Sequence, residues 1–237
     1  MPLTGPVDGE PAPALFPAPE PAPAATRGGG GGRAVRQDLA GSPSDPRRQL
    51  ALFGAEATDP AVADLAGLLA GPAEASVMGG TARLAVVVDD AWRVHVLIAE
   101  LDARGLPASW AAVGDGRHTV RTSYTRVLKP LVAQWLHGPA KHPPPGFHLD
   151  GRGLRLWLVA AGAVAESGVL LRLGPAAHRR VSPVGAALAA VGLPAVPEPA
   201  PDGPAYRISG RRPLNRFAEL VGDPPPTVPP AAWPRRG

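Results

Sequence analysis

Apolar residues recur along this chain in two rhythms. Val94, Leu97, Ile98 and Leu101 fall at helical spacing and Gly105 follows them, which predicts a helix over 92–104. Just upstream, three consecutive valines close a run in which Leu84, Val86 and Val88 alternate, which predicts a strand over 83–88. Thr58-Asp59-Pro60 offers a polar cap and then proline at a first turn, opening a helix over 61–71. Segments 106–113 and 118–123 read as a hairpin around Gly114-Asp115-Gly116, and 126–136 as a helix. The order then repeats. An apolar helix over 154–162 precedes a strand over 169–173, and a helix over 182–191 stops at Gly192. A short strand around Ala195-Val196, a turn through Pro201-Asp202-Gly203, a strand over 205–209 and a helix over 213–221 follow.

Landmarks keep a nearly constant offset between the two stretches. Gly105-Leu106-Pro107 recurs as Gly192-Leu193-Pro194, and Arg121-Thr122-Ser123 as Arg207-Ile208-Ser209. An internal duplication accounts for this most simply; two unrelated α/β pieces sharing Gly-Leu-Pro turns are the alternative. The fold class expected is α/β in the broad sense (α+β), as two pseudo-symmetric αββαββα halves at 58–137 and 149–222. A linker at 138–148 joins them. Residues 1–46, with a Pro-Ala repeat and consecutive glycines at 28–32, read as a disordered tail. Residues 223–237 are a proline-rich tail ending in an arginine pair and a glycine.

Composition narrows the picture. The chain has 237 residues, and its 32 prolines and 29 glycines are placed unevenly, which is what marks off the tails. About 165 residues remain, enough to bury a proper core. Lysine is nearly absent (Lys129 and Lys141), a bias that suggests a GC-rich bacterial genome. The net charge of +4 leans mildly towards a polyanionic partner. Zero cysteines exclude disulfides and cysteine-held zinc and agree with a cytoplasmic location. No basic start followed by an apolar run suggests a signal peptide, and no apolar run reaches the ~18 residues of a membrane span.

Catalytic constellations are sparse. His95, His118, His137, His142, His148 and His178 show no metal spacing, and no glycine-rich loop links a strand to a helix. Ser76, Ser109, Ser123 and Ser182 lack a nucleophile's context. Asp89-Asp90 reads as a cap for the helix that follows. No cofactor is expected.

Gln49-Leu50-Ala51-Leu52-Phe53-Gly54 follows the pattern Q-L-x-L-F and resembles the peptide with which many bacterial proteins bind the replication sliding clamp. Leu50, Leu52 and Phe53 are large apolar anchors for a preformed pocket, and the Gln49 amide can both donate and accept at its rim. The Gly/Ser/Pro-rich stretch before it would let the peptide (47–57) reach out. The same residues could instead form a strand or staple packed onto the following domain.

Leu65-Ala66-Gly67-Leu68-Leu69-Ala70-Gly71-Pro72, with a looser partner over 154–162 and the repeated αββαββα plan, is similar to the LAGLIDADG homing-endonuclease family. An ordinary apolar core helix is the other reading of 65–72. The resemblance implies that the first helices of the halves pack at a pseudo-twofold axis, small residues letting their backbones approach, with the sheets as a saddle over DNA. It also implies metal-binding acids at the C-terminal end of each helix, where two divalent cations would sit over the scissile phosphates. The matching positions hold Pro72 and Ala161, which cannot ligate a metal. Glu74 and Glu166 lie a little further on, as displaced ligands or as solvated glutamates.

The strand alternation turns Arg83 away from Leu84, Val86 and Val88, and puts Thr119, Arg121 and Ser123 on one face. Arg172 and Arg207 occupy like places in the second half. These four arginines are the candidate DNA contacts, a solvated basic surface being the bland alternative. The reading is a monomeric, non-enzymatic, cytoplasmic protein. It binds duplex DNA weakly through backbone contacts, docks on a bacterial sliding clamp, and has no membrane partner. A divergent metal-dependent nuclease and a protein-interaction module without DNA contact are the alternatives.

Overall fold

The computed structural model describes residues 54–138, 140–175 and 181–236. The tail at 1–46, the peptide anchors Gln49, Leu50, Leu52 and Phe53, and His178 lie outside the described residues.

The first half opens with a 3-10 turn, Val62–Leu65, running into helix α1 (Ala66–Ala70). Strands β1 (Glu74–Met78) and β2 (Thr81–Val88), helix α2 (Ala91–Asp102), strands β3 (Ala108–Gly114) and β4 (Arg117–Thr122) and helix α3 (Lys129–Trp135) follow. A hairpin of two-residue strands, β5 (Leu136–His137) and β6 (Ala140–Lys141), spans the end of the first half and the start of the linker. The second half comprises α4 (Gly151–Ala161), β7 (Gly162–Ala165), β8 (Gly168–Arg172), α5 (Val181–Ala190), β9 (Val196–Ala200), β10 (Gly203–Ile208) and α6 (Arg211–Val221). The strand orders are β1-β2-β4-β3 and β7-β8-β10-β9, antiparallel throughout. The halves are therefore pseudo-symmetric αββαββα units, as the sequence led us to expect.

The recurring Gly-Leu-Pro landmarks do the same structural job twice. Gly105 and Gly192 adopt positive φ just past α2 and α5. Leu106 N–H then donates to Leu101 O, and Leu193 N–H to Leu188 O, each at 3.0 Å. This is the six-residue closure that ends a helix on a left-handed glycine, and Leu106 and Leu193 are buried by it.

The small β5–β6 hairpin was not expected, and two strands of the main sheets were not legible. β1 and β7 follow directly on the central helices and carry small, mixed residues without alternation; their pairing with β2 and β8 makes them strands. Capping differs as well. Asp64, not the Thr58-Asp59 pair, accepts the Ala61 N–H at 2.8 Å. Asp150 caps α4 by accepting from Gly153 N at 2.7 Å.

The core lies between sheets and helices and includes Trp135, Trp157, Phe217, 17 leucines and 11 valines among the described residues. Helices α1 and α4 cross at glycines. A Cβ on Gly67 would fall 1.9 Å from the Gly153 carbonyl oxygen, so the two backbones touch where any side chain would part them. The proline-rich tail packs onto this body. Val228 and Trp233 are buried, and Trp233 Nε1 donates to Gly222 O at 2.9 Å.

Candidate nucleic-acid interface

Each sheet turns one face to the helices and the other outward. On β2, Ala82, Leu84, Val86 and Val88 are buried, so Arg83, Ala85 and Val87 stand outward. On β4, Val120 and Thr122 are buried, leaving Thr119 and Arg121 outward. Pairing sets Ser76 beside Arg83, Ala85 beside Arg121, and Ser109 on the far side of Arg121. Arg83 and Arg121 are thus diagonal neighbours with Cα atoms about 7–8 Å apart, among small hydroxyl side chains.

Neither guanidinium meets a carboxylate among the described residues. Arg121 is exposed. Arg83 lies over the Tyr124 ring, 4.8 Å from its centroid, and its Nε is buried without a hydrogen-bond partner. Glu74 shares this face but stands two strands from Arg121 in the same row, about 9–10 Å away. Arg117, missed in the sequence, sits at the start of β4, 3.8 Å from the exposed Asp115.

Arg172 and Arg207 also stand outward, on the second sheet, but both are engaged. Arg207 binds Glu198 in a fork: Nε donates to Oε2 and Nη2 to Oε1, each at 2.7 Å. Its Nη1 donates to Ser167 Oγ at 3.0 Å. The hydrogen bonds from Arg207 hold the Glu198 carboxyl below its ordinary range and push the guanidinium up, so the pair stays ionised and neutral as a unit. Arg172 places Nη2 at 3.3 Å from Asp89 Oδ2, tying the end of β8 to the end of β2, and its Nε points to Ala161 O at 3.4 Å. The four sequence-predicted arginines are therefore divided two and two.

The ends of the central helices carry cations that sequence reasoning missed. Pro72 stops α1 at Ala70, and the Lys141 ammonium donates to Gly71 O (2.8 Å) and Ala73 O (2.5 Å). At the end of α4, Arg93 donates to Leu158 O (3.1 Å), Val159 O (2.6 Å) and Gly162 O (2.6 Å). Its Nε lies 2.9 Å from Asp89 Oδ1, an ionic contact that is not aligned as a hydrogen bond. Burial pulls the Arg93 guanidinium below its ordinary value, and Asp89 opposes that pull. Asp89 and Asp90 thus serve a side chain; neither makes a side-chain bond to the start of α2. Spacing gave a signal here, since Arg93 is i+4 and i+3 from the two acids. Nothing local pointed to Lys141.

These helix ends do not fit divalent metal ions. Pro72 and Ala161 offer no side-chain ligand, and the nearby carbonyls already accept from ammonium or guanidinium groups. Glu74 and Glu166 are exposed, and among the described residues no three carboxylates or imidazoles converge.

No protein-family model matches the chain, and no curated protein matches it in sequence. Among solved structures it is similar to the homing endonuclease I-WcaI bound to its DNA recognition sequence, with a TM-score of 0.52, 13% identity, and 67% of this chain covering 78% of that one. It also aligns with the N-terminal LAGLIDADG domain of WhiA at a TM-score of 0.47 and 10% identity, over 69% of this chain and 81% of that domain. At such identities the likeness to I-WcaI speaks for architecture alone, and it agrees with the paired sheets and crossed glycine helices above: the chain has a LAGLIDADG-like fold.

Proposed function

We propose that this chain is a non-enzymatic, cytoplasmic bacterial protein that works as a monomer on DNA. It docks on the sliding clamp through Gln49, Leu50, Leu52 and Phe53 and contacts duplex DNA weakly with its LAGLIDADG-like domain. One observation carries the non-enzymatic part: the ends of both central helices are closed by internal cations, Lys141 and Arg93, in place of acids. A carboxylate-held metal pair has no seat there. The outward arginines of the sheets support DNA contact, as does the architecture shared with an endonuclease solved on DNA. Two like halves in one chain offer two sheets of the same topology without a second subunit.

The test is fluorescence anisotropy of the full chain with a labelled duplex at rising KCl, with magnesium absent. Binding should be weak, indifferent to sequence and salt-dependent, with a log–log slope of roughly −2 to −4 for two to four phosphate contacts. Binding that ignores salt, or no binding, favours a protein-interaction module instead.

A further inference from the structure

Resting on the DNA reading above, we propose that the two sheets contribute unequally, and that Arg83 and Arg121 of the first sheet hold the phosphate backbone while the second sheet presents a charge-neutral face.

The division follows from what each guanidinium already touches. An arginine gains from a phosphate when its donors and its charge are uncommitted. Arg121 is exposed and Arg83 is stacked on Tyr124, and neither has a carboxylate partner among the described residues. Cation–π stacking leaves the charge intact and fixes the guanidinium plane. Ser76, Ser109 and Thr119 surround them with further short donors suited to phosphate oxygens. Glu74 is the acid that counts against this face: it stands two strands from Arg121 but on the strand next to Arg83, as its diagonal neighbour about 7–8 Å away.

On the second sheet the arithmetic is different. Arg207 is forked onto Glu198, and Arg172 sits against Asp89. Arg172 shares Asp89 with the buried Arg93, which also meets Asp90, so with the Arg207–Glu198 pair three cations face three anions, and Glu166 in the β7–β8 turn adds another exposed acid. A phosphate drawn to Arg207 would either share it with Glu198 or leave that carboxylate facing the DNA unpaired. Like charges so placed repel, so the fork gives little net attraction. Apolar Leu170 and the exposed Val196 stand beside it.

The experiment compares two double substitutions in the full chain. Arg83→Gln with Arg121→Gln removes two free cations. Glu198→Gln with Arg207→Gln removes an ion pair without altering net charge, so no orphaned acid confuses the result. Anisotropy against KCl reads the salt slope. The first variant should flatten it by about 2 and weaken binding roughly 50-fold at 0.1 M salt, since each phosphate contact adds about 0.9 to the slope. Arg121→Gln alone, at an exposed site, should flatten it by about 1, which keeps the test valid if the Arg83 change harms folding. The pair variant should keep the wild-type slope. A pair variant flattened by 1 or more, or an Arg121→Gln slope equal to wild type, overturns the inference while leaving DNA binding in place. A wild-type chain that shows no salt-dependent binding removes the DNA reading and this inference with it.

Discussion

At the scale of single residues, Arg93 shows how a charge can be buried for structure. Three carbonyl oxygens at the end of α4 accept from its guanidinium, and Asp89 balances it. A cation there also meets the negative end of the helix dipole. Arg93→Met keeps the stem but leaves those oxygens unpaired and Asp89 without its counter-charge. The loss should be about 2–4 kcal/mol in urea unfolding, because stranded buried groups cost more than the bond itself was worth. Arg121→Met, at an exposed site with no ion-pair partner among the described residues, should stay within about 0.5 kcal/mol of wild type. Equal costs for the two would mean that the carbonyl bonds contribute nothing. Half of the Arg93 contact was readable: the acids three and four residues before it are ordinary helix spacing. Its carbonyl partners, on a helix more than sixty residues later, were not. The outward direction of Arg83 and Arg121 was legible from alternation alone. The pairing of Arg207 with Glu198 was not, because it needed the β9–β10 register and β9 was expected only as a short strand around Ala195-Val196.

At the scale of elements, the crossing of α1 and α4 sets how the halves meet. Gly67 has the Gly153 carbonyl where a Cβ would go, at 1.9 Å, and backbone there cannot swing aside as a flexible side chain can. Gly67→Ala should therefore destabilise the chain despite its better helix propensity, by about 1–3 kcal/mol or more as the helices are forced apart. Gly80→Ala, in the β1–β2 turn with nothing within 4 Å of the added carbon and no positive φ, is the control and should be nearly neutral. A neutral Gly67→Ala would show that the helices have room to separate. Long periodic segments such as α2 and β2 were visible in the sequence because their own residues specify them. β1, β7 and the prolines of β9 were not, because partners made them strands. Pro197 and Pro199 are tolerated since β9 lies at a sheet edge, where a missing N–H costs no ladder bond. The buried Trp233 made the tail part of the body in the same way, through contacts that no local pattern announces.

At the scale of the whole molecule, the proposal joins a body with closed helix ends to a tethered peptide, and each part fails or stands separately. For the body, supercoiled plasmid should remain uncut with magnesium or manganese at high protein concentration. Nicking that vanishes in Glu74→Gln with Glu166→Gln would restore the nuclease alternative. For the tether, the geometry at its root matters. Ala55 N donates to Leu220 O at 2.7 Å, so Gly54 and Ala55 sit beside the end of α6 rather than on the outward face of either sheet. A clamp bound there would not have to displace DNA from Arg83 and Arg121. Three apolar anchors can supply roughly 7–8 kcal/mol net, a micromolar affinity, and on a clamp already encircling DNA the second contact becomes intramolecular. The full chain should thus bind clamp-loaded DNA at least about tenfold tighter than bare DNA, and Leu52→Ala with Phe53→Ala should return it to the bare-DNA value without changing the salt slope. If that variant binds loaded and bare DNA in the same ratio as wild type, the clamp reading of the peptide is wrong, and Leu50, Leu52 and Phe53 revert to the strand or staple that their apolar character would equally suit.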